Sequence, residues 1–239
     1  MKRTDETLRD RSRHRHLTIA CMTSPVYVVL GAGPGLGLSA ARRFARAGYA
    51  VTLVGQGVEQ MEPLAQALRG EGFDAEPDGV ELTDADDVTR LVTALGERHA
   101  RIDVLHFNPS AFRQVDALHL STAQLFEDLA VGVASLLPAV QAAKPFMPAG
   151  ARVLVTGSQA ADTPWHEAPS LGIQKAAVRN LVNSLDATLA PDGIRVVAVQ
   201  VNGVLAKEGP FSPPQVAEAL YAATVRPDDG WTAQVPYDG

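Results

Sequence analysis

From position 26 onward, short apolar runs of strand length alternate with stretches in which apolar residues recur every three or four positions. The runs fall at 26–30, 50–54, 74–80, 104–107, 151–156, 195–201 and, more weakly, 232–235. Most are unbroken rather than alternating, as expected for parallel strands covered on both faces. Between them, 36–47, 58–69, 85–98, 122–143, 171–190 and 214–224 read as helices. In the fourth of these, Phe126, Leu129, Val133, Leu136 and Val140 form an amphipathic stripe. Asp84 and Thr122 are the expected N-caps of the helices they precede or open. Strand and helix alternating at this cadence predict a Rossmann-like, doubly wound α/β fold, with a parallel sheet of about seven strands between two helical layers.

Length and composition narrow the picture further. A chain of 239 residues, 46% hydrophobic and 20% charged, suits one globular domain. The expected division is a basic leader without fold over 1–24 and a single dinucleotide-binding domain over 25–239. Residues 1–16 hold six basic and three acidic residues, leaving 15 basic and 24 acidic in the rest, a net of −9. Such a body disfavours nucleic acid as a partner. No run of 18 or more residues is wholly apolar, so no membrane span is expected. The apolar stretch 17–22 is too short for a secretory signal, and Met22 is an alternative start. The lone Cys21 excludes an intramolecular disulfide and suits a reducing, cytoplasmic interior. No metal site is expected.

The candidate chemistry begins after the first strand, where Gly31-Ala32-Gly33-Pro34-Gly35-Leu36-Gly37 opens a helix. Glycines let the backbone turn tightly and approach a ligand, so that amides at the helix start face phosphate. Strand, glycine loop and helix in that order point to a dinucleotide pyrophosphate, with Gly31, Gly33, Gly35, Leu36 and Gly37 as contacts. The second strand ends in Val54-Gly55-Gln56-Gly57. Gln56 can hydrogen-bond the adenosine ribose but carries no charge, so NAD and NADP stay equally open. Asn108, Ser158 and Asn202-Gly203 also follow strands, which places them at the same sheet edge as the glycine loop.

Together these motifs resemble the short-chain dehydrogenase/reductase superfamily over residues 25–238. Gly31-x-x-x-Gly35-x-Gly37 has that family's glycine spacing. Glu81-Leu82-Thr83-Asp84 resembles its adenine contact, with Glu81 and Leu82 as contact residues. Phe107-Asn108-Pro109-Ser110 keeps one asparagine of its Asn-Asn-Ala-Gly segment. Val201-Asn202-Gly203-Val204 resembles the stretch that shapes the nicotinamide pocket. In that family a serine, a tyrosine four residues before a lysine, and a helix asparagine form the catalytic set. Ser158 matches the serine and Lys175 the lysine, which by resemblance also bonds ribose hydroxyls. Leu171 stands at the tyrosine position and Gly132 at the asparagine position.

Residues four apart on a helix share a face, so a lysine there lowers the pKa of the phenol that moves the proton. A positioned acid or base contributes about 10²–10⁴ in rate, and here the phenol is missing. Ser170 lies about 100° around the helix from position 171 and is no substitute. His166, in Trp165-His166-Glu167, is the candidate replacement acid, since imidazole titrates near neutral pH. The segment 205–214 is a short, proline-rich lid that leaves the site open.

The resemblance implies an NAD(P)-binding oxidoreductase-class protein acting on a small-molecule carbonyl or alcohol, with atypical or weak chemistry. It also implies a homodimer or homotetramer. Two alternatives stay open: an isomerase, cyclase or lyase that binds the same cofactor, and a non-catalytic subunit or sensor.

Overall fold

A computed structural model describes residues 24–239. The leader expected over 1–24 therefore lies, but for its last position, outside the described residues. The strands are β1 (Val26–Leu30), β2 (Ala50–Gly55), β3 (Ala75–Gly79), β4 (Val104–Phe107), β5 (Arg152–Ser158), β6 (Arg195–Val201) and β7 (Gln234–Tyr237). The helices are α1 (Leu36–Arg46), α2 (Val58–Gly70), α3 (Ala85–His99), α4 (Thr122–Leu129), α5 (Leu136–Ala143), α6 (Pro169–Leu189) and α7 (Pro213–Thr224). The seven strands form one wholly parallel sheet in the order β3-β2-β1-β4-β5-β6-β7. Strand order reverses between β1 and β4, and ligands of such sheets bind at the carboxyl edge beside that reversal.

The pleat sends successive residues to opposite faces, and the two cores divide accordingly. Val26, Val28 and Leu30 of β1 pack with Val88, Val92 and Leu95 of α3, Leu136 and Val140 of α5, and Val178 and Val182 of α6. Tyr27 and Val29 pack the other way, with Phe44 of α1, Leu68 of α2 and Leu220 of α7.

Two local expectations change. Asp84 caps α3 by accepting from the amides of Asp86 and Asp87, but Thr122 is not the cap of α4. Ser121 takes that place in a reciprocal box with Gln124: each side chain accepts from the other's backbone amide, at 3.2 and 3.0 Å. The single helix expected over 122–143 is broken by a π turn at Ala130–Ala134.

By length and composition Thr122–Phe146 could cross a membrane, its most apolar 18-residue stretch having a mean hydropathy of 1.4, contrary to the expectation that no segment would. In the fold it lies along the sheet, with Leu136, Ala139, Val140 and Ala143 buried in the core. Asp128 on the same segment is bound to Arg113 at 2.9 Å. Those buried positions are the face by which the segment packs on the sheet.

Candidate functional site

The glycine loop is shaped by close backbone contacts at two of its ends. Gly31 has φ +76°, and a Cβ there would stand 2.8 Å from the Pro109 nitrogen. A Cβ on Gly37 would stand 2.8 Å from Cα of Ala32. These two glycines are required by the fold itself. Gly33 and Gly35 are different, because nothing lies within 4 Å of where their Cβ would be. The amides of Gly35, Leu36 and Gly37 at the start of α1 have no acceptor among the described residues, and Gly35 offers no side-chain cap. Open space and free donors meet at one helix N-terminus, the arrangement that receives phosphate.

Beside the loop, at the switch point, a cavity of about 280 Å³ is lined by Leu36, Asn108, Ser110, Thr156, Gly157, Ser158, Leu171, Lys175, Val201, Gly203 and Leu205. Ser158, Leu171 and Lys175, singled out from the sequence, thus share one cavity with Asn108 and Gly203. Lys175 is buried on α6 and donates to the Thr156 carbonyl oxygen at 3.0 Å. Burial pushes its ammonium down to about 8. The Ser158 hydroxyl accepts from the Ala160 amide at 3.2 Å, which holds it at the end of β5 while it faces the cavity.

Below the floor runs a chain of buried hydrogen bonds that the apolar reading of the strands does not anticipate. Thr156 Oγ1 donates to Asn108 Oδ1 at 2.7 Å, so it accepts from His106 Nε2 at 2.9 Å. That leaves His106 Nδ1 to accept the Tyr27 hydroxyl at 2.6 Å. Asn108 Nδ2 in turn donates to the Gly31 carbonyl at 2.9 Å. The chain joins β1, β4 and β5 to the first glycine of the loop. Burial, with the Lys175 charge nearby, pushes His106 down to about 3, so the imidazole is neutral. A histidine inside an otherwise apolar central strand, with a tyrosine in the neighbouring strand, is the sequence signal for it.

Gly132 sits in the π turn, and a Cβ there would collide with the side-chain amide of Gln174. Gln174 is fully buried and clamps Ala111 from both sides: Oε1 accepts from its amide at 3.0 Å and Nε2 donates to its carbonyl at 3.0 Å. The side chain absent at position 132 is thus replaced in space by one from α6, which fixes the loop after β4. Sequence inspection missed Gln174, since a glutamine on a helix gives no sign of which neighbour it fills.

Other expected residues lie elsewhere. His166 is exposed and is not among the residues lining the cavity. Its neighbour Trp165 stacks on Phe112 with ring centroids 6.1 Å apart, tying the loops after β4 and β5 together. Ser170 is buried away from the cavity. Asn202 is turned toward the chain end, with Nδ2 donating to Asp238 at 2.8 Å, while Gly203 makes room for the Phe211 ring. Gln56 is exposed beyond β2. Glu81 accepts from the Thr83 hydroxyl and amide at 2.7 and 3.0 Å, bonds that hold its carboxyl below the usual range, and Leu82 packs on the core.

The proline-rich segment after β6 is pinned, with Tyr237 donating to the Pro210 carbonyl at 2.5 Å and Ala206 to that of Phe211 at 3.1 Å. It brings Lys207 into a groove with Pro34, Gly35 and Leu36. Lys207 is a cation beside the free amides that the sequence presented only as part of a lid.

Comparison with known proteins agrees with this geometry. The family model described as short chain dehydrogenase matches residues 25–208. A cis-4-hydroxycyclohexanecarboxylate dehydrogenase of Sinomonas cyclohexanicum is 33% identical over 179 residues, 73% of this chain and 71% of that protein. A sulfoacetaldehyde reductase of Chromohalobacter salexigens is 30% identical over 179 residues, 73% of this chain and 70% of that one. The crystal structure of a metagenomic short-chain oxidoreductase in complex with NADP superposes with a TM-score of 0.80 at 22% identity, covering 89% of this chain and 96% of that one.

Proposed function

The chain belongs to the short-chain dehydrogenase family, and from that premise we propose that it is an NAD(P)-dependent oxidoreductase of carbonyl and alcohol compounds. The observation that carries the reading is one cavity in which Ser158 and Lys175 stand beside the open face of the glycine loop. The residues present fit a dinucleotide. Gly33 and Gly35 leave room for a pyrophosphate, the amides of Gly35, Leu36 and Gly37 supply donors, and Lys207 supplies a charge. Lys175, Thr156, Val201 and Gly203 line the cavity that would hold the ribose and nicotinamide. When bound, the reduced nicotinamide supplies a hydride to a carbonyl carbon.

The chain's own residues do the rest. Ser158 Oγ, fixed by the Ala160 amide, is free to donate to the carbonyl oxygen of a substrate. Leu171, Leu205 and Val201 make the remaining wall apolar. Gln56, beyond the end of β2, carries no charge that would favour or repel a 2′-phosphate, so both NADH and NADPH are admitted.

Phe126 is 64% and Leu137 40% exposed on the helical segment that packs beside α6. That apolar face, with Ile173 of α6, supports a homodimer or homotetramer.

A second reading has its own support. Leu171 removes the phenol expected one helical turn before Lys175, which favours a pocket that binds the dinucleotide without rapid turnover. Calorimetric titration with NADH and NADPH separately tests what the two readings share. Micromolar binding of either is the expected result, and absence of binding at millimolar concentration overturns both.

A further inference from the structure

We propose that Lys175 is itself the proton donor and acceptor of this site, a role that rests on the reading of the cavity as a cofactor-dependent carbonyl site. Three features of the cavity carry this. First, the side chain one turn earlier on α6 is the leucine at 171, so no hydroxyl stands between the lysine and the cavity. Second, Lys175 lines the cavity with a single hydrogen bond, to the Thr156 carbonyl oxygen at 3.0 Å. An ammonium group has three donors, and two remain for a ligand. Third, no carboxylate among the described residues is paired with the charge.

The acids on neighbouring elements are each engaged elsewhere: Asp128 of α4 by Arg113, Asp162 after β5 by Arg179, and Asp186 of α6 by Arg195. Behind the lysine, His106 is neutral, and Thr156, Asn108 and Ser158 are uncharged. A buried ammonium without a counter-charge gives up its proton readily, and burial pushes this one down to about 8.

The step balances simply. The carbonyl carbon gains the hydride of a dihydronicotinamide, and the carbonyl π pair moves to oxygen. An Nζ–H bond of Lys175 breaks as the O–H bond forms. The amine, left neutral, regains a proton from water through the open mouth of the cavity. In the reverse direction the neutral amine takes the alcohol proton as hydride leaves. Ser158, across the cavity, orients the oxygen in both directions.

Four lysines in the chain make the test direct. The full chain is prepared with ¹³C at lysine Cε and titrated by NMR, the Lys175 signal being identified by its loss in Lys175→Met. The expected result is one signal with a midpoint near 8 and the others near the ordinary value of about 10. A Lys175 signal that moves only near 10 overturns the proposal.

In parallel, NADPH- and NADH-dependent reduction of p-nitrobenzaldehyde and phenylglyoxal is followed from pH 6 to 10. The expected kcat/KM for reduction falls tenfold per pH unit above about 8, while that for oxidation of the corresponding alcohols rises up to about pH 8 and levels off above it. Lys175→Arg keeps a positive charge and donors but cannot release the proton. It is expected to lose at least about 100-fold in kcat while its cofactor Kd, read by calorimetry, stays within about tenfold. An Arg variant that keeps its kcat, or cofactor binding with no reduction of either probe at any pH, overturns the assignment of Lys175 alone. Failure to bind either cofactor overturns instead the reading on which it rests.

Discussion

At the carboxyl edge of the sheet, the side built on β1 and α1 presents backbone, whereas the side built on β5 and α6 presents side chains. Around Gly31–Gly37 the features that matter are a positive φ, a close approach to Pro109 and free amides, all set by chain path. Around Ser158 and Lys175 they are individual functional groups, each tied by one hydrogen bond. A backbone site needs glycines at a few spacings and is indifferent to what else the sequence holds. A side-chain site changes its chemistry with one substitution, as the leucine at 171 and the glycine at 132 illustrate. The Tyr27–His106–Thr156–Asn108 chain joins the two, ending on the Gly31 carbonyl.

The contrast is open to breakage from either side. Gly31→Ala strikes the backbone half. The left-handed φ and the overlap with the Pro109 nitrogen together are expected to cost about 3–5 kcal/mol. Urea unfolding measures it, and a loss below about 1 kcal/mol would show that the loop moves freely and is not fixed by its contacts.

Lys175→Met strikes the side-chain half and has the opposite sign. The folded-state pKa of about 8 lies below the ordinary lysine value, so the cost of burying the charge is fully present below pH 8. That cost disappears as pH rises from about 8 through the unfolded value of about 10.4. Loss of the bond to the Thr156 carbonyl offsets part of the gain. The variant is therefore expected to be more stable than the parent by about 2 kcal/mol at pH 7, with the gap closing by pH 10. Thermal melts at the two pH values decide it. A lysine kept at such a cost is kept for what it does in the cavity, whereas a destabilised variant would make it a structural post.

An effect of similar size is expected at the replaced side chain at 132. Gly132→Asn must displace the Gln174 amide from Ala111 and is expected to cost about 2 kcal/mol, the worth of two neutral hydrogen bonds. With Gln174→Ala in the same chain, the two changes should cost at least about 1 kcal/mol less than their sum. Strict additivity in a double-mutant cycle would show that the two positions do not compete for one space. Restoring the asparagine thus requires a second change, which Leu171→Tyr alone does not supply.

Much of this was legible beforehand for a physical reason. Hydrophobic periodicity and loop glycines report on the backbone, and the strands at 26–30, 104–107 and 195–201 fall where the apolar runs put them. Ser158, Leu171 and Lys175 come together because a parallel sheet gathers the residues that follow its strands. The features that differ from expectation depend on side-chain neighbours. Ser121 rather than Thr122 caps α4, a π turn interrupts the helix at Gly132, and His166 lies outside the cavity lining.

The sequence by itself determined a doubly wound parallel sheet, a glycine loop at its switch point, and a serine and lysine without the intervening tyrosine. Those are consequences of local spacing and burial pattern along one dimension. Only the tertiary structure decided that Gln174 fills the space at Gly132, that His106 links Tyr27 to the cavity floor, and that Lys175 is buried without a counter-ion among the described residues. Each of those is fixed by contacts between residues distant in the chain, and such contacts leave no periodic trace.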